Sequence, residues 1–389
     1  FKQKTAYEML RSLVGSEMCI RDSIYVIELG ATSFQLSEIR SIGSAVNALI
    51  SIPMGWICDL YSIKRLMIMG MIVQIAYIAF YAFAQNWYWI IGGAILASLT
   101  MTLVYRIQMI YIANSLKDSN RATGYGMRTT IIQAFSIIAP TIGGYLVHIF
   151  GGISVEGIRP LYYIQLIGYI ILTIYVSLKI EDIKIEKKEK IKNFLKNYAE
   201  MLKKGVHMKR FVLLQALGSI TWGMSMPFIF VYASEIKMAN SITIGYMGTC
   251  LTFISMLMAI PLGNLADRKG RKYTIYLTRP FFWGSYILLM LAPPGNPIPL
   301  LLAWAMRGVM MASSAWTTLS MEMVPQEYRG RWTGFNSLFQ NMIRAPAILI
   351  GGYIYENMDP SLIFIIPIIV DILIRIPILM TVSETLKRE

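Results

Sequence analysis

Apolar stretches long enough to cross a bilayer follow one another along nearly the whole chain, joined mostly by short polar connections. A span needs about 20 mainly apolar residues. Stretches of that kind run over 36–58, 66–84, 87–113, 123–149, 161–178, 211–232, 242–262, 273–291, 298–323, 332–355 and 361–382. Lipid offers no partner for an unpaired backbone group, so each stretch is expected to be a helix. A closed β-barrel would instead show alternating segments of about ten residues, and the chain has no such segments. The pattern also repeats. GWICDLYSIKR starts at Gly55, and GNLADRKGRK starts at Gly263, 208 positions later. Gly143-Gly144 and Gly351-Gly352 keep the same offset, as do Arg121 and Arg329. A membrane chain that repeats itself at this period is expected to fold as two related halves.

Composition agrees with this reading. The 389 residues are 56% hydrophobic and 15% charged, against roughly 45–50% and about 25% in soluble domains. The net charge of +14 is explained by its placement. Basic residues gather in every second connection, eleven of them from Lys179 to Arg210, while the alternate connections hold only Arg40, Arg159 and Lys237. The positive-inside rule puts the basic connections and the tail in the cytoplasm. A multi-pass protein of the inner (cytoplasmic) membrane is expected, with no nucleic-acid partner.

The offset makes a sharper prediction at the start of the chain. The partner of 211–232 should lie at 3–24, where Lys4, Glu8, Arg11, Glu17, Arg21 and Asp22 stand. Each charge costs roughly 2.5–3.5 kcal/mol at a helix centre, so this stretch is not expected to span. The string resembles a translated sequencing-adaptor read-through. Residues 1–23 are therefore expected to be non-native, with the first of twelve helices lost and eleven spans retained. A natural amphipathic N-terminal helix is the alternative. The expected organisation is a half bundle over 24–178, a cytoplasmic linker over 179–210, a second half bundle over 211–382 and a tail over 383–389. In the linker, Ile191, Phe194, Leu195, Tyr198, Met201 and Leu202 recur at helical spacing between lysines. That spacing predicts an amphipathic helix on the membrane surface.

The second repeat carries Gly263, Leu265, Ala266, Asp267, Arg268, Gly270, Arg271 and Lys272. The first keeps Gly55, Asp59 and Lys64 but has Leu60, Ser62 and Ile63 where the pattern differs. In form and position these stretches resemble the signature of the major facilitator superfamily, between its second and third helices and again in its second half. The resemblance implies an all-α integral membrane fold of two pseudo-symmetric six-helix halves that rock about a midplane site. It implies a conformational latch at Gly55, Asp59, Lys64, Gly263, Asp267, Arg268, Gly270, Arg271 and Lys272. In such a latch each Asp faces the N-terminus of a helix from the opposite half, whose dipole favours negative charge. Asp59 would face the helix starting near Arg331, and Asp267 the helix starting near Ala122. A weaker resemblance is APTIGG, with Pro140, Gly143 and Gly144, to the glycine-rich run of proton-driven exporters. Ala139 and Phe135 replace expected glycines.

Ionisable residues at membrane depth are costly and mark function by default. Arg106, Arg279, Arg307, Arg344 and Arg375 qualify. Arg279, seven residues past Lys272, is expected to snorkel to the inner surface. Arg375 follows Asp371 by four residues, so the two are expected to pair. Arg106, Arg307 and Arg344 remain as cavity candidates, with Glu322 as a carboxylate they could reach instead. Gln215, Trp222 and Asn341 complete the candidate cavity, among further polar residues at Asn47, Gln108, Gln133, Asn336 and Gln340. Trp222-Gly223 followed by Pro227 predicts a bend near the site. Surplus positive charge favours an anion. Asp371 is the candidate for proton coupling, and symport, antiport and uniport stay open.

The expected function is secondary active transport of a small solute, an organic anion, by a monomer working through alternating access. The alternative is a proton-coupled drug or metabolite exporter. A transporter-like sensor or a non-functional fragment is the reading from another class. An enzyme is not expected, because no acid–base cluster stands out. The chain also lacks the nucleotide-binding loop of an ATP-driven pump. No cofactor or metal is expected. His148 and His207 lie far apart, and Cys19, Cys58 and Cys250 form neither a CxxC site nor a disulfide framework.

Overall fold

The computed structural model describes residues 18–51, 62–115, 121–179, 208–324 and 329–385. Among these the regular elements are all helical. In chain order they are α1 (Met18–Glu28), α2 (Ser33–Ile50), α3 (Ile63–Ala82), α4 (Tyr88–Ser115), α5 (Arg121–Ile149), α6 (Val155–Lys179), α7 (Met208–Ser225), α8 (Ile229–Glu235), α9 (Ser241–Lys269), α10 (Arg271–Leu291), α11 (Pro297–Ala312), α12 (Ala315–Glu322), α13 (Arg329–Asn357), α14 (Leu362–Val370) and α15 (Ile376–Met380). The chain divides into two compact units, Phe1–Glu189 with Asn240–Gly245 and Lys190–Ala239 with Tyr246–Glu389.

Local chemistry sets the helix starts. Thr32 opens α2 with a capping box: the Gln35 amide donates to Thr32 Oγ1 at 3.3 Å, and the Thr32 amide donates to Gln35 Oε1 at 2.8 Å. This satisfies donors that a helix start otherwise leaves open. Ser62 caps α3 by accepting from the Arg65 amide, and Asn296 caps α11 ahead of Pro297. Along α6, Ile167, Ile171, Ile174 and Leu178 share one face and are each more than half exposed. An apolar stripe left uncovered over about three turns suits lipid rather than water. Six helical stretches among the described residues are long and apolar enough to cross a membrane: Lys64–Ala82, Val155–Lys179, Arg210–Glu235, Ser241–Lys269, Pro297–Glu322 and Leu362–Met380.

The first unit is held by tyrosines. Tyr162 and Tyr77 donate to the two oxygens of Asp22 at 2.7 and 3.3 Å. Tyr25 donates to the Tyr81 carbonyl and accepts from Arg159 Nε. These bonds tie α1 to α3 and α6. Asp22 and Ser23 precede the boundary drawn after residue 23, and both are buried here. The earlier residues, 1–17, lie outside the described part, as does the linker segment predicted as an amphipathic helix.

In the second unit, Phe211, Leu214, Ile275, Leu319, Trp332 and Leu379 form the core of an apolar cluster. Trp332 donates its indole N–H to Ser320 at 2.9 Å, so its polar edge is satisfied within the core. Three helical stretches of this unit are interrupted. A 3-10 turn at Met226–Phe228 separates α7 from α8, where Pro227 has no N–H to continue the ladder. Ser313 is extended between α11 and α12 (φ −75°, ψ 114°). A π-helical turn at Asp371–Arg375 separates α14 from α15, and the Ile376 amide reaches back five residues to the Asp371 carbonyl. Pro367 and Pro377 flank that turn and remove N–H groups that would hold the ordinary register.

Candidate functional site

Two of the three interruptions, at Ser313 and at the π turn, meet at one place. A cavity of about 360 Å³ inside the second unit is lined from α7, α10, α11, α12, α13 and the π turn. Its wall includes Gln215, Gly218, Ser219, Trp222, Thr278, Arg279, Ser313, Trp316, Asn336, Gln340, Arg344 and Arg375. Irregular backbone at membrane depth is tolerated where it lines a cavity.

The π turn sets the electrostatics of one wall. Asp371 is 1% exposed. Its Oδ1 accepts from Arg375 Nη1 at 2.9 Å and from Arg279 Nη1 at 3.3 Å. Its Oδ2 accepts from the Trp283 indole at 2.9 Å. Both guanidinium groups also lie over the Trp316 ring, 5.5 and 5.3 Å from its centre. Trp316 is fixed in turn by donating to Gln215 Oε1 at 3.0 Å. Gly218 gives Arg375 its room, since a Cβ there would stand 2.9 Å from Nη2. Arg375 Nε is nevertheless buried without a hydrogen-bond partner among the described residues.

Arg344, on α13, reaches the cavity from another wall. It packs against Gly223, where a Cβ would meet Arg344 Cγ at 3.0 Å. Its Nε is likewise buried without a partner among the described residues. Arg307 is 1% exposed and sits among four rings, with its Cζ 4.9 Å from the centre of Tyr286, 5.2 Å from Trp222, 5.9 Å from Phe282 and 6.0 Å from Trp304. Its Nη2 lies 3.8 Å from Met226 Sδ, and its Nη1 is buried without a hydrogen-bond partner among the described residues.

Several sequence expectations change here. Arg279 does not snorkel: two helical turns carry it inward from Lys272, about 10 Å at the α-helical rise, and Asp371 receives it there. Asp371 pairs with Arg375 as the spacing predicted, but it is the shared counter-ion of two arginines and does not line the cavity. That is a poor position for a proton carrier, which must meet the cavity. Arg307 stands behind the aromatic wall rather than on the cavity surface. Asn341 also lies off that surface, donating to the Ser337 carbonyl at 2.8 Å. Glu322 serves Arg271 instead of the membrane arginines. Gln215, Trp222 and Arg344 do line the cavity. Arg106 falls on α4, and its side chain lies outside the described residues, as do those of Gln108 and Gln133.

The second signature copy makes a knot of its own. Gly270 ends α9 and starts α10 with φ +114°, a conformation that favours glycine. Arg271 donates to Asp267 at 2.9 Å, to Glu322 at 3.0 and 3.3 Å, and to the Ala266 carbonyl at 2.6 Å. The hydrogen bond to Glu322 is the largest influence raising the Arg271 guanidinium above its usual range. The Glu384 carboxylate accepts from the Arg271 and Lys272 amides at 3.1 and 2.9 Å, capping the positive end of α10. Lys272 Nζ donates to the Met380 and Val382 carbonyls. Arg268 lies in the last turn of α9, and a Cβ at Gly263 would meet nothing. In the first copy, Lys64 lies in the first turn of α3. Gly55 and Asp59 lie outside the described residues, and so do the side chains at 121–122 and 329–331.

Sequence reasoning passed over Ser219, Thr278, Trp316 and Ser313. The paired serines at 313–314 were the available signal, because such side chains compete with a helix for its own backbone groups.

A family model described as Major Facilitator Superfamily matches residues 22–347 and 211–386. An uncharacterized MFS-type transporter of Methanocaldococcus jannaschii is 25% identical over 319 residues, 80% of each chain. The multi-drug resistance efflux pump PmrA of Streptococcus pneumoniae is 23% identical over 331 residues, 81% of this chain and 79% of that one. Among solved structures, the nucleoside transporter NupG superposes with a TM-score of 0.75 at 12% identity, covering 100% of this chain and 98% of that one. A bacterial homologue of the iron transporter ferroportin, in an inward-facing state, gives 0.72 at 12% identity, covering 98% of each. At these identities the solved structures establish the fold alone.

Proposed function

This chain belongs to the major facilitator superfamily, and we propose that it is a secondary transporter that carries a small organic anion by alternating access. The observation that carries this reading is the cavity of the second unit. Three arginines line it, and two of them keep a buried N–H without a partner among the described residues. A buried charge left unsatisfied is expensive. An anionic solute would supply the missing acceptors. The interrupted helices support the same reading, since transporters place substrate where helices break at the midplane.

On this account the two signature copies are the latch. Asp267, Arg268, Arg271 and Lys272 hold one conformation, and Gly55, Asp59 and Lys64 do the same in the other copy. The alternation of basic connections supports a C-terminus and central linker on the cytoplasmic side, in the cell membrane. The protein works as a monomer.

A second reading is export of drugs or metabolites driven by protons. The similarity to PmrA favours it, as do the aromatic rings at Trp222, Phe282, Tyr286 and Trp316. Proteoliposome uptake separates the two. A panel of organic anions, cations and neutral drugs is offered with and without a pH gradient. The anion reading predicts saturable uptake of anions that Arg344→Ala abolishes. Uptake confined to cations or neutral drugs would favour the exporter.

A further inference from the structure

We infer that the cavity takes an anion with two separated negative groups, such as a short dicarboxylate. This rests on the anion reading above and narrows it. Arg279, Arg344 and Arg375 line the cavity, and no carboxylate joins them on its surface among the described residues. Asp371, just behind the wall, offsets one charge. Arg307, enclosed by four rings behind the wall, does not reach the cavity surface, so the three lining arginines against Asp371 leave two positive charges uncompensated there. A singly charged ligand would leave one of them buried and unpaired, at a cost that a doubly charged ligand avoids.

The open donors fall on different walls. Arg344 comes from α13, and Arg375 comes from the π turn. Each has its Nε buried without a partner among the described residues. One compact group has to choose between them, whereas a ligand with two ends satisfies both. Asp371 also makes the exchange at Arg375 inexpensive. If Arg375 turns to the ligand, Asp371 keeps Arg279 and the Trp283 indole, so no buried carboxylate is stranded. Arg279 is thereby the holder of Asp371, and Arg375 is the arm free to bind.

The test uses purified full-length protein in detergent. Binding is read by quenching of tryptophan fluorescence, since Trp222 and Trp316 line the cavity. The probes are succinate, glutarate, monomethyl succinate, butyrate and glycerol phosphate. Succinate or glutarate is expected to bind at least about tenfold more tightly than butyrate or the monoester, which is one charge-assisted hydrogen bond's worth of affinity. Arg344→Gln and Arg375→Gln are each expected to weaken the dicarboxylate more than the monoester, closing the roughly tenfold gap between the two. Arg344→Lys and Arg375→Lys, which keep the charge, are expected to retain part of the gap and show that the site still folds. Equal binding of monoester and dicarboxylate overturns the two-ended ligand and leaves the anion reading standing. Tight glycerol phosphate with weak succinate overturns it too, since a phosphate carries both charges at one end. Binding by none of these anions overturns the inference and the anion reading together.

Discussion

Among the described residues each unit buries one aspartate, and the hydrogen bonds around the two differ. Asp22 in the first unit meets phenols: Tyr77 and Tyr162 hydrogen-bond it. Asp371 in the second meets cations: Arg279 and Arg375 pair with it, and Trp283 adds an indole N–H. The first arrangement is a tie between helices, with Tyr25, Tyr81 and Arg159 around it. The second is attached to a cavity, an interrupted helix and arginine donors left open. A buried carboxylate therefore does not mark the transport site by itself. The site is marked by positive charge in excess of the acid, beside backbone that has left the regular helix.

The comparison breaks most visibly at Asp371. Asp371→Ala strands two buried guanidinium groups and is expected to cost about 3–5 kcal/mol, read as a large fall in thermal unfolding temperature. Asp22→Asn keeps one acceptor for the tyrosines and is expected to cost only about 1 kcal/mol. Equal losses in the two variants would mean that the units treat their acids alike.

Gly270→Ala asks next whether the signature knot shapes the second unit. It forces a side chain onto φ +114° and toward Glu384, which a Cβ would meet at 2.7 Å. A loss of about 1–3 kcal/mol is expected, seen in the same unfolding measurement. Gly218→Ala separates stability from function. The new Cβ meets only the end of the Arg375 side chain, which can move aside. Stability is expected to fall by less than about 1 kcal/mol, while anion affinity falls severalfold in a binding titration. Glu384→Gln makes the smallest change. It weakens a charged cap on α10 and should cost about 0.3–1 kcal/mol, less at high salt.

Much of this architecture was legible in the chain. Apolar length forces helices in lipid, and the repeat of Gly55 and Gly263 points to duplication, so fold class followed from spacing, while the family came from the likeness of GNLADRKGRK to the superfamily's signature. Pro227 announced a break in its helix, because a missing N–H is a local fact. The break at Ser313 was only weakly signalled, since a serine pair inside an apolar run is also compatible with a helix. Arg279 was misplaced for a related reason. Seven residues from Lys272 allow either a snorkelling side chain or an inward one, and the choice depends on Asp371, 92 positions away. Arg307 failed as a cavity residue because four rings from three separate helical segments close around it, and that enclosure is tertiary.

The most direct test of the account is uptake of a labelled dicarboxylate into proteoliposomes, with Arg344→Ala set beside Arg159→Lys, a conservative change in the first unit's tie. The account predicts that Arg344→Ala removes uptake at least about tenfold while the protein stays folded, and that Arg159→Lys transports close to the unaltered protein. Undiminished uptake in Arg344→Ala would contradict it, because the cavity of the second unit would then not be where the anion is held.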